Sequence, residues 1–213
     1  MRKAHQAEVK IAQFYEIPLL SYPEALAEVF HDFPIKIAVA GAHGKSTTSA
    51  MIGTLFHDNQ SPATTITGTL VKAFGGKNVC IEGKEIMVIE ACEYRNAFLR
   101  YRPDIAVITN IDPDHLDFFK TDEAYYASFE HFMAQSRCVV ILANEYQRFT
   151  ALTQHVMLPE TLVLVGNNSF EVIGNTYGAL VAGKYTYHLP ELLVPGGHIR
   201  IDAGLAYVVS QLL

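Results

Sequence analysis

A glycine-rich turn followed by lysine and serine is the segment of this 213-residue sequence best suited to chemistry. Residues 39–48 read VAGAHGKSTT and follow an apolar segment that favours a strand. Glycine lets the backbone approach phosphate oxygens, and a helix starting after the turn presents free N–H groups to them. The candidate phosphate-binding residues are Gly41, Ala42, His43, Gly44, Lys45, Ser46 and Thr47.

In such a loop the Lys45 ammonium group can reach the β- and γ-phosphates, and the Ser46 hydroxyl can ligate Mg²⁺. The longer form of the motif has a glycine five positions before Gly44, where this sequence has Val39, so the loop has the shorter G-x-x-G-K-S form. The alternative is an ordinary strand-to-helix turn with a surface lysine. The strand before the turn and the helix expected after it favour a phosphate loop.

Two further polar groups follow apolar strands. Glu90 ends EIMVIEA, and His115 lies in TNIDPDHLD, residues 109–117, after DIAVITNI. Open α/β sheets bind ligands at the carboxyl ends of their strands, so Glu90 could complete a Mg²⁺ shell and His115 could ligate a second metal or orient a substrate. The alternatives are a solvated acid at a strand end and a turn capped by its Asp residues.

Alternating apolar and amphipathic segments predict the elements that carry these groups. Strands are predicted at 17–22, 35–41, 64–67, 85–91, 104–111, 138–143 and 161–166, with 78–83 pairing with 85–91 as a hairpin. Helices are predicted at 4–15, 23–31, 45–57, 94–101, 121–135, 145–156 and 199–213, with a hairpin within 170–188. The order predicts an α/β fold, a P-loop-type, mostly parallel sheet with helices on both faces.

Composition narrows the classes of partner. Sixteen Lys+Arg against 22 Asp+Glu give a net charge of −6, the opposite sign to that expected of a nucleic-acid-binding protein. No apolar run is long enough for a membrane span, and residues 1–10 have no apolar secretion segment. Three scattered cysteines fit a reducing compartment. We therefore expect a cytoplasmic protein without nucleic-acid or membrane partners. No sequence neighbours suggest chemistry for the remaining histidines, which we expect on the surface or on helix faces: His5, His31, His57, His131, His155 and His188.

The segments GAHGKSTT, IEACEYRNAFL and TNIDPDHLD, in this order and spacing, resemble the Mur ligases of peptidoglycan synthesis. The resemblance implies that residues 34–213 are the central ATP-binding domain, that residues 1–33 are a remnant of the preceding UDP-sugar-binding domain, and that the C-terminal domain is absent. His43 in the loop favours the member that joins L-alanine to UDP-N-acetylmuramate, and its relative in murein-peptide recycling, over the later ligases of the pathway.

The resemblance also implies a role for each residue that matches a family motif. Lys45 would hold the β- and γ-phosphates of ATP. Ser46 and Glu90 would ligate the Mg²⁺ bound to those phosphates. His115 would ligate a second Mg²⁺ beside the substrate carboxylate, and Asn110 would help to position that substrate. Lys45 and His115 are thus the implied catalytic residues.

Residues 194–204, VPGGHIRIDAG, resemble the adenine-binding segment of the family, which implies that His198 and Asp202 contact the nucleotide. Gly197, Ile199 and Asp202 replace the arginine and two asparagines that are usual there. Three functions stay open: an ATP- and Mg²⁺-dependent acid–amino-acid ligase that forms an acyl phosphate, another P-loop small-molecule kinase, and a degenerate, non-catalytic nucleotide-binding module. The altered segment motivates the third.

Overall fold

A computed structural model describes residues 5–153, 159–178, 180–190, 192 and 196–213. The strands are β1 (Ile35–Ala40), β2 (Ala63–Val71), β3 (Lys77–Ile81), β4 (Ile86–Glu90), β5 (Ile105–Ile108), β6 (Cys138–Leu142), β7 (Thr161–Val165), β8 (Ser169–Gly174) and β9 (Gly183–Thr186). The helices are α1 (His5–Phe14), α2 (Tyr22–His31), α3 (Lys45–Asp58), α4 (Leu116–Phe119), α5 (Asp122–Ala134), α6 (Ala143–Leu152) and α7 (Gly197–Gln211). Two 3₁₀ segments, Lys72–Phe74 and Tyr94–Arg100, complete the described elements.

The strands of the described residues form one sheet in the order β3-β2-β4-β1-β5-β6-β7-β8-β9. Six neighbouring strands of this order, β2, β4, β1, β5, β6 and β7, are mutually parallel, and β3, β8 and β9 add antiparallel edges. The register places Val39 of β1 opposite Glu90 of β4, and Ala40 opposite Ile108 of β5. The carboxyl ends of these three strands are therefore level, which confirms the predicted α/β class and brings the polar groups that follow them to one edge.

Each face of the sheet is buried under helices, which explains why the central strands are apolar without alternation. Ala38 and Met87 belong to the layer that α2 and α5 cover, whereas Ile37 and Val88 belong to the layer that α3 and α7 cover. The predicted inward residues of α5 (Tyr125, Phe129, Phe132 and Met133) are all buried. None of the described helices combines the length and the apolar character needed to cross a bilayer.

The strand predicted at 17–22 is absent, because this segment leads into a helix. The Ser21 backbone N–H donates a hydrogen bond to Glu24 Oε2 at 2.8 Å in a capping box, and Pro23 occupies the first turn of α2. Proline is well tolerated at that position, since its missing N–H would have no partner in the helix. Ser21, Pro23 and Glu24 are therefore the sequence signal for the start of α2, and they do not indicate a strand.

The hairpin predicted between 78–83 and 85–91 is also wrong. Strand β3 pairs antiparallel with β2, where Cys80 lies opposite Thr65, while β4 is parallel to both β2 and β1. Strand β4 is buried on both faces and between two neighbours, so β3, whose residues are exposed or half-buried, takes the edge of the sheet. The hairpin predicted within 170–188 is confirmed as β8 and β9.

Several predicted boundaries moved by a few residues. The helix predicted at 94–101 is the 3₁₀ segment Tyr94–Arg100, interrupted by left-handed backbone at Arg95 and Asn96. The helix predicted at 145–156 is α6, which begins at Ala143 and ends at Leu152, and residues 154–156 lie outside the described residues. The first residue of the helix predicted at 4–15 also lies outside them, as do residues 194 and 195 of the adenine-like segment.

Candidate functional site

The phosphate loop connects β1 to α3 and requires glycine at two positions. Gly41 has φ 142°, and a Cβ there would lie 2.1 Å from Thr109 Oγ1. Gly44 precedes α3 with φ 80°, in the left-handed region that side chains disfavour. Ala42 and Thr47 are half-buried in the same turn, and His43 is exposed. The loop therefore presents backbone at the N-terminus of α3, as a phosphate site needs.

The residues after β5 hold the loop in place. The Asn110 side chain accepts a hydrogen bond from the His43 backbone N–H at 3.1 Å and donates one to the His43 carbonyl at 2.9 Å. Thr109 Oγ1 donates to the same carbonyl at 2.5 Å. Asn110, expected to position a substrate, thus uses both atoms of its amide group in hydrogen bonds to the phosphate loop in this structure.

A serine and a glutamate meet beside the loop. Ser46 Oγ donates a hydrogen bond to Glu90 Oε2 at 2.6 Å, although the two residues are 44 positions apart in the sequence. The Gly68 backbone N–H donates to the same oxygen at 2.9 Å, and a Cβ at Gly68 would lie 2.3 Å from it. A hydroxyl and a carboxylate oxygen at this distance are ligand types that Mg²⁺ prefers.

A buried glutamate joins the lysine and the histidine. The Lys45 ammonium lies 3.1 Å from Glu93 Oε2, and Glu93 Oε1 lies 3.6 Å from His115 Nε2. The Glu93 side chain is fully buried, whereas the His115 side chain is 34% exposed. Lys45 also donates to the Gly41 and Ala42 carbonyl oxygens at 2.5 and 3.1 Å. Lys45 and His115 therefore share one carboxylate, at the same edge as Ser46 and Glu90.

His115 reaches this position through an unusual backbone conformation. It has φ 55°, and the four-residue helix α4 follows it. The Tyr94 ring packs against the imidazole with centroids 4.8 Å apart, and its hydroxyl donates to Asp117 Oδ2 at 3.1 Å. Left-handed backbone in a non-glycine residue costs free energy, so these contacts hold His115 towards Glu93.

The donors present fit a divalent cation at two points. Ser46 and Glu90 form an oxygen pair, and Glu93, Asp114 and His115 offer ligand atoms within 4.8 Å of one another. Glu93 Oε2 is buried and accepts no hydrogen bond of normal geometry. The Lys45 ammonium, 3.1 Å away, compensates part of its charge, and a divalent cation would also supply the ligand bond that this oxygen lacks.

The helix α7 brings Asp202 behind the loop. Asp202 is 6% exposed, and its Oδ1 lies 2.9 Å from where a Cβ of Gly44 would stand. Burial raises the pKa of Asp202 to about 6, although Thr48 and, to a smaller extent, His198 oppose the shift. His198 and Gly197 are exposed in the first turn of α7. Asp202 thus lies near the backbone of Gly44 in the candidate phosphate loop, whereas His198 lies at the rim.

A cleft of about 840 Å³ lies beside the first turn of α7 rather than over Lys45. Its polar lining residues include Asn144, Asn167, Asn168 and Arg200, from the segments after β6 and β7 and from α7. These segments follow the carboxyl ends of parallel strands, where α/β sheets bind ligands. The cleft could therefore hold the part of a nucleotide that extends away from its phosphates.

The sequence analysis identified Lys45, Ser46, Glu90 and His115 as candidates, and in the structure all four lie at one edge of the sheet. It missed Glu93, whose position three residues after Glu90 was the available signal. It also missed Gly68, since nothing in the sequence shows which backbone N–H will meet the Glu90 carboxylate. His57 lies in α3 with a partly exposed side chain, as predicted, and the structure places Cys80 and Glu82 beside it in space.

The sequence is similar to that of known ligases over much of its length. Residues 39–190 match the family model of the Mur ligase middle domain. The chain is 46% identical over 207 residues to UDP-N-acetylmuramate–L-alanine ligase from Caldicellulosiruptor saccharolyticus, covering 89% of this chain and 44% of that protein.

Two solved structures share the fold. UDP-N-acetylmuramate–alanine ligase from Thermotoga maritima has a TM-score of 0.69 at 20% identity, covering 96% of this chain and 47% of that one. MurF ligase from the same organism, in complex with ADP, has a TM-score of 0.55 at 18% identity, and the match covers 91% of this chain and 50% of that one. The chain therefore spans about half the length of these relatives.

Proposed function

This chain belongs to the Mur ligase family, and from that premise we propose that residues 34–213 are the ATP-binding domain of an acid–amino-acid ligase. The proposed substrates of the intact enzyme are UDP-N-acetylmuramate and L-alanine, after the name of the relative that is 46% identical. One observation carries the proposal: Lys45 and Ser46 of the phosphate loop meet Glu90, Glu93 and His115 at one sheet edge.

Residues 1–33 are proposed to be the end of the preceding, UDP-sugar-binding domain. Within the described part of this segment, Phe14, Tyr15, Leu20 and Tyr22 are between 51% and 80% exposed. Four large exposed apolar side chains within nine residues of the sequence favour a contact with another surface. A neighbouring domain packed against them would remove that apolar surface from water.

The chemical difficulty of the proposed reaction is the approach of one anion to another. Two unit negative charges 4 Å apart repel by about 4 kcal/mol at an effective dielectric constant of 20. A carboxylate that attacks a triphosphate meets more than one such charge. The site must therefore gather positive charge where the attacking and leaving oxygens lie.

The described residues supply that charge in two parts. The backbone N–H groups at the start of α3 can bind phosphate oxygens, and Lys45 can exchange its carbonyl and Glu93 contacts for phosphate contacts. Ser46, Glu90, Glu93 and His115 would hold Mg²⁺. Bound Mg²⁺ would add positive charge at the attacking and leaving oxygens.

The proposed reaction has two steps, phosphoryl transfer followed by amide formation. The carboxylate of UDP-N-acetylmuramate attacks the γ-phosphorus, the bond from that phosphorus to the bridging oxygen breaks, and ADP leaves. The amine of L-alanine then attacks the acyl carbon, loses a proton and expels inorganic phosphate. Asn110 and Thr109 contribute by keeping the phosphate loop fixed through the His43 backbone.

Calorimetric titration of the chain with Mg·ATP tests the phosphate loop. Lys45→Ala should weaken binding by about 10-fold or more, since it removes the ammonium aimed at the phosphates. Lys184→Ala is the matched control, because Lys184 is 80% exposed on β9, away from the loop. Wild-type affinity in Lys45→Ala would refute the loop assignment.

The ligase reaction is tested in the intact enzyme by measuring ADP release. Release should require both UDP-N-acetylmuramate and L-alanine, and hydroxylamine should trap the acyl phosphate when L-alanine is omitted. Phosphorylation of a small molecule without amide formation would instead support the kinase alternative. Absence of Mg·ATP binding in the wild type would support the degenerate module.

A further inference from the structure

A histidine, a cysteine and a glutamate meet at the opposite end of α3 from the phosphate loop. His57 lies in the last turn of α3, Cys80 lies on β3, and Glu82 follows β3. His57 Nδ1 is 2.6 Å from Glu82 Oε1 and 3.9 Å from Cys80 Sγ. Eleven residues of helix separate His57 from Ser46, a rise of about 17 Å. The cluster therefore belongs to a different part of the surface from the nucleotide site.

The donor set suits zinc rather than magnesium. Thiolate sulfur, imidazole nitrogen and carboxylate oxygen are the three ligand types that Zn²⁺ takes in proteins, at about 2.0 to 2.3 Å. Tetrahedral angles at those bond lengths separate neighbouring donor atoms by about 3.4 to 3.6 Å. The ligand atoms of the three side chains all lie within 4.8 Å of one another. Side-chain movements of about 1 Å would thus complete the geometry.

The three ligands stand on elements that hold their backbones. Cys80 is paired with Thr65 in the β2–β3 ladder, and the Glu82 backbone N–H donates to the Ala63 carbonyl at 2.9 Å. The His57 ring packs edge-on against Phe74, with centroids 6.3 Å apart. Ligands fixed on rigid elements lose little entropy on binding, which favours a preorganised site.

The cluster is open to solvent on one side. The His57 side chain is 36% exposed and the Glu82 side chain 31% exposed, while Cys80 is half-buried. An ion can therefore enter, and water can occupy a fourth position. Three protein ligands with water in the fourth position are one of the two arrangements that zinc takes in proteins.

We propose that His57, Cys80 and Glu82 form a Zn²⁺ site that ties the edge strand β3 to the end of α3. On binding, the Cys80 thiol loses its proton to solvent and the thiolate ligates the metal. His57 ligates through Nδ1 with its remaining proton on Nε2, and Glu82 ligates through one carboxylate oxygen. The hydrogen bond between His57 and Glu82 is replaced by two bonds to the metal.

Titration of the chain with Co²⁺ as the probe tests the site, because cobalt bound to a thiolate gives an intense near-ultraviolet charge-transfer band. The wild type should develop this band with one equivalent of Co²⁺, and Zn²⁺ should abolish it. Cys80→Ser should remove the band. His57→Ala should weaken binding by more than the roughly 10- to 100-fold that loss of an outer-shell partner costs.

Cys92→Ser is the matched control, since Cys92 is an exposed free thiol at the other end of the fold, between Glu90 and Glu93. It should keep the band. A band that persists in Cys80→Ser but disappears in Cys92→Ser would refute the proposal, as would the absence of any band in the wild type. Glu82→Gln provides a conservative third variant, and its unchanged affinity for Co²⁺ would exclude Glu82 as a ligand.

Unfolding of a variant is separated from loss of a ligand by two further measurements. Circular dichroism and Mg·ATP titration should match the wild type in all three ligand variants, because the nucleotide site lies about 17 Å away along α3. Zn²⁺ should also raise the wild-type unfolding temperature and leave that of Cys80→Ser nearly unchanged. An equal rise in both proteins would place the ion elsewhere.

Discussion

Replacing Asp202 with asparagine should stabilise the protein above neutral pH. The carboxyl group is 6% exposed and lies against Gly44, where the loop enters α3. Burial disfavours its charged form, which raises the pKa of Asp202 from 3.8 to about 6. Asparagine has nearly the same shape and no charge, so the substitution removes the cost of burying the ion and leaves the packing in place.

The raised pKa fixes both the size and the sign of the effect. A difference of about two pKa units corresponds to about 3 kcal/mol. Because the folded protein binds the Asp202 proton more tightly than the unfolded chain does, this stability is fully present below pH 3.8 and is lost as the pH rises through about 6. Asp202→Asn should therefore gain about 1 to 2 kcal/mol at pH 5 and up to about 3 kcal/mol at pH 8.

Urea unfolding of wild type and Asp202→Asn at pH 5 and pH 8 measures this difference. Asp32→Asn, an exposed carboxyl at the end of α2, makes the same chemical change and should stay within about 0.5 kcal/mol of wild type at both pH values. A less stable Asp202→Asn protein at pH 8, or a gain that does not depend on pH, would refute the argument from burial. Mg·ATP affinity should also rise, because a negative charge leaves the neighbourhood of the phosphate loop.

Two glycine substitutions should have different effects, one on nucleotide affinity at the candidate site and the other on the stability of the core. Gly68→Ala would put a methyl group 2.3 Å from Glu90 Oε2, so calorimetry should show Mg·ATP affinity reduced by about 10-fold while the urea midpoint changes little. Gly53→Ala would place its Cβ 2.5 Å from Thr65 Cγ2, overpacking α3 against β2 at a cost of about 1 to 3 kcal/mol in urea unfolding. Gly197→Ala, whose Cβ would meet open space, should not lower stability. Wild-type stability in Gly53→Ala would show that α3 has room to move from β2.

The parallel core of the sheet was predictable because its strands are buried on both faces. Runs such as residues 35–41 and 104–111 are apolar without alternation, and this pattern is typical of parallel strands buried on both faces of a sheet. The edges were not predictable in the same way, since β3 has a mixed pattern that pairs equally well with β2 or β4 on sequence grounds. Its true partner is set by which strand has a free edge, and that is a property of the whole sheet.

The site was predictable where a residue acts through its own type and position in a motif. Lys45, Ser46, Glu90 and His115 each follow a strand or begin a helix, so the topology alone brings them to one edge. Asn110 differs, because its amide can face either the loop or a substrate, and only the coordinates show the bonds to His43. Contacts between segments far apart in the sequence carry no local signal.

Glu93 links nucleotide binding to cation binding. In the described structure its buried carboxylate lies 3.1 Å from the Lys45 ammonium, so each charge compensates the other. A triphosphate that draws Lys45 away leaves a fully buried carboxylate without its partner, and breaking a buried pair in this way costs about 3 to 5 kcal/mol. A cation bound by Glu93 and His115 would restore the compensation. Phosphate and metal should therefore bind cooperatively. The phosphates replace Glu93 as the partner of Lys45, and the cation replaces Lys45 as the partner of Glu93.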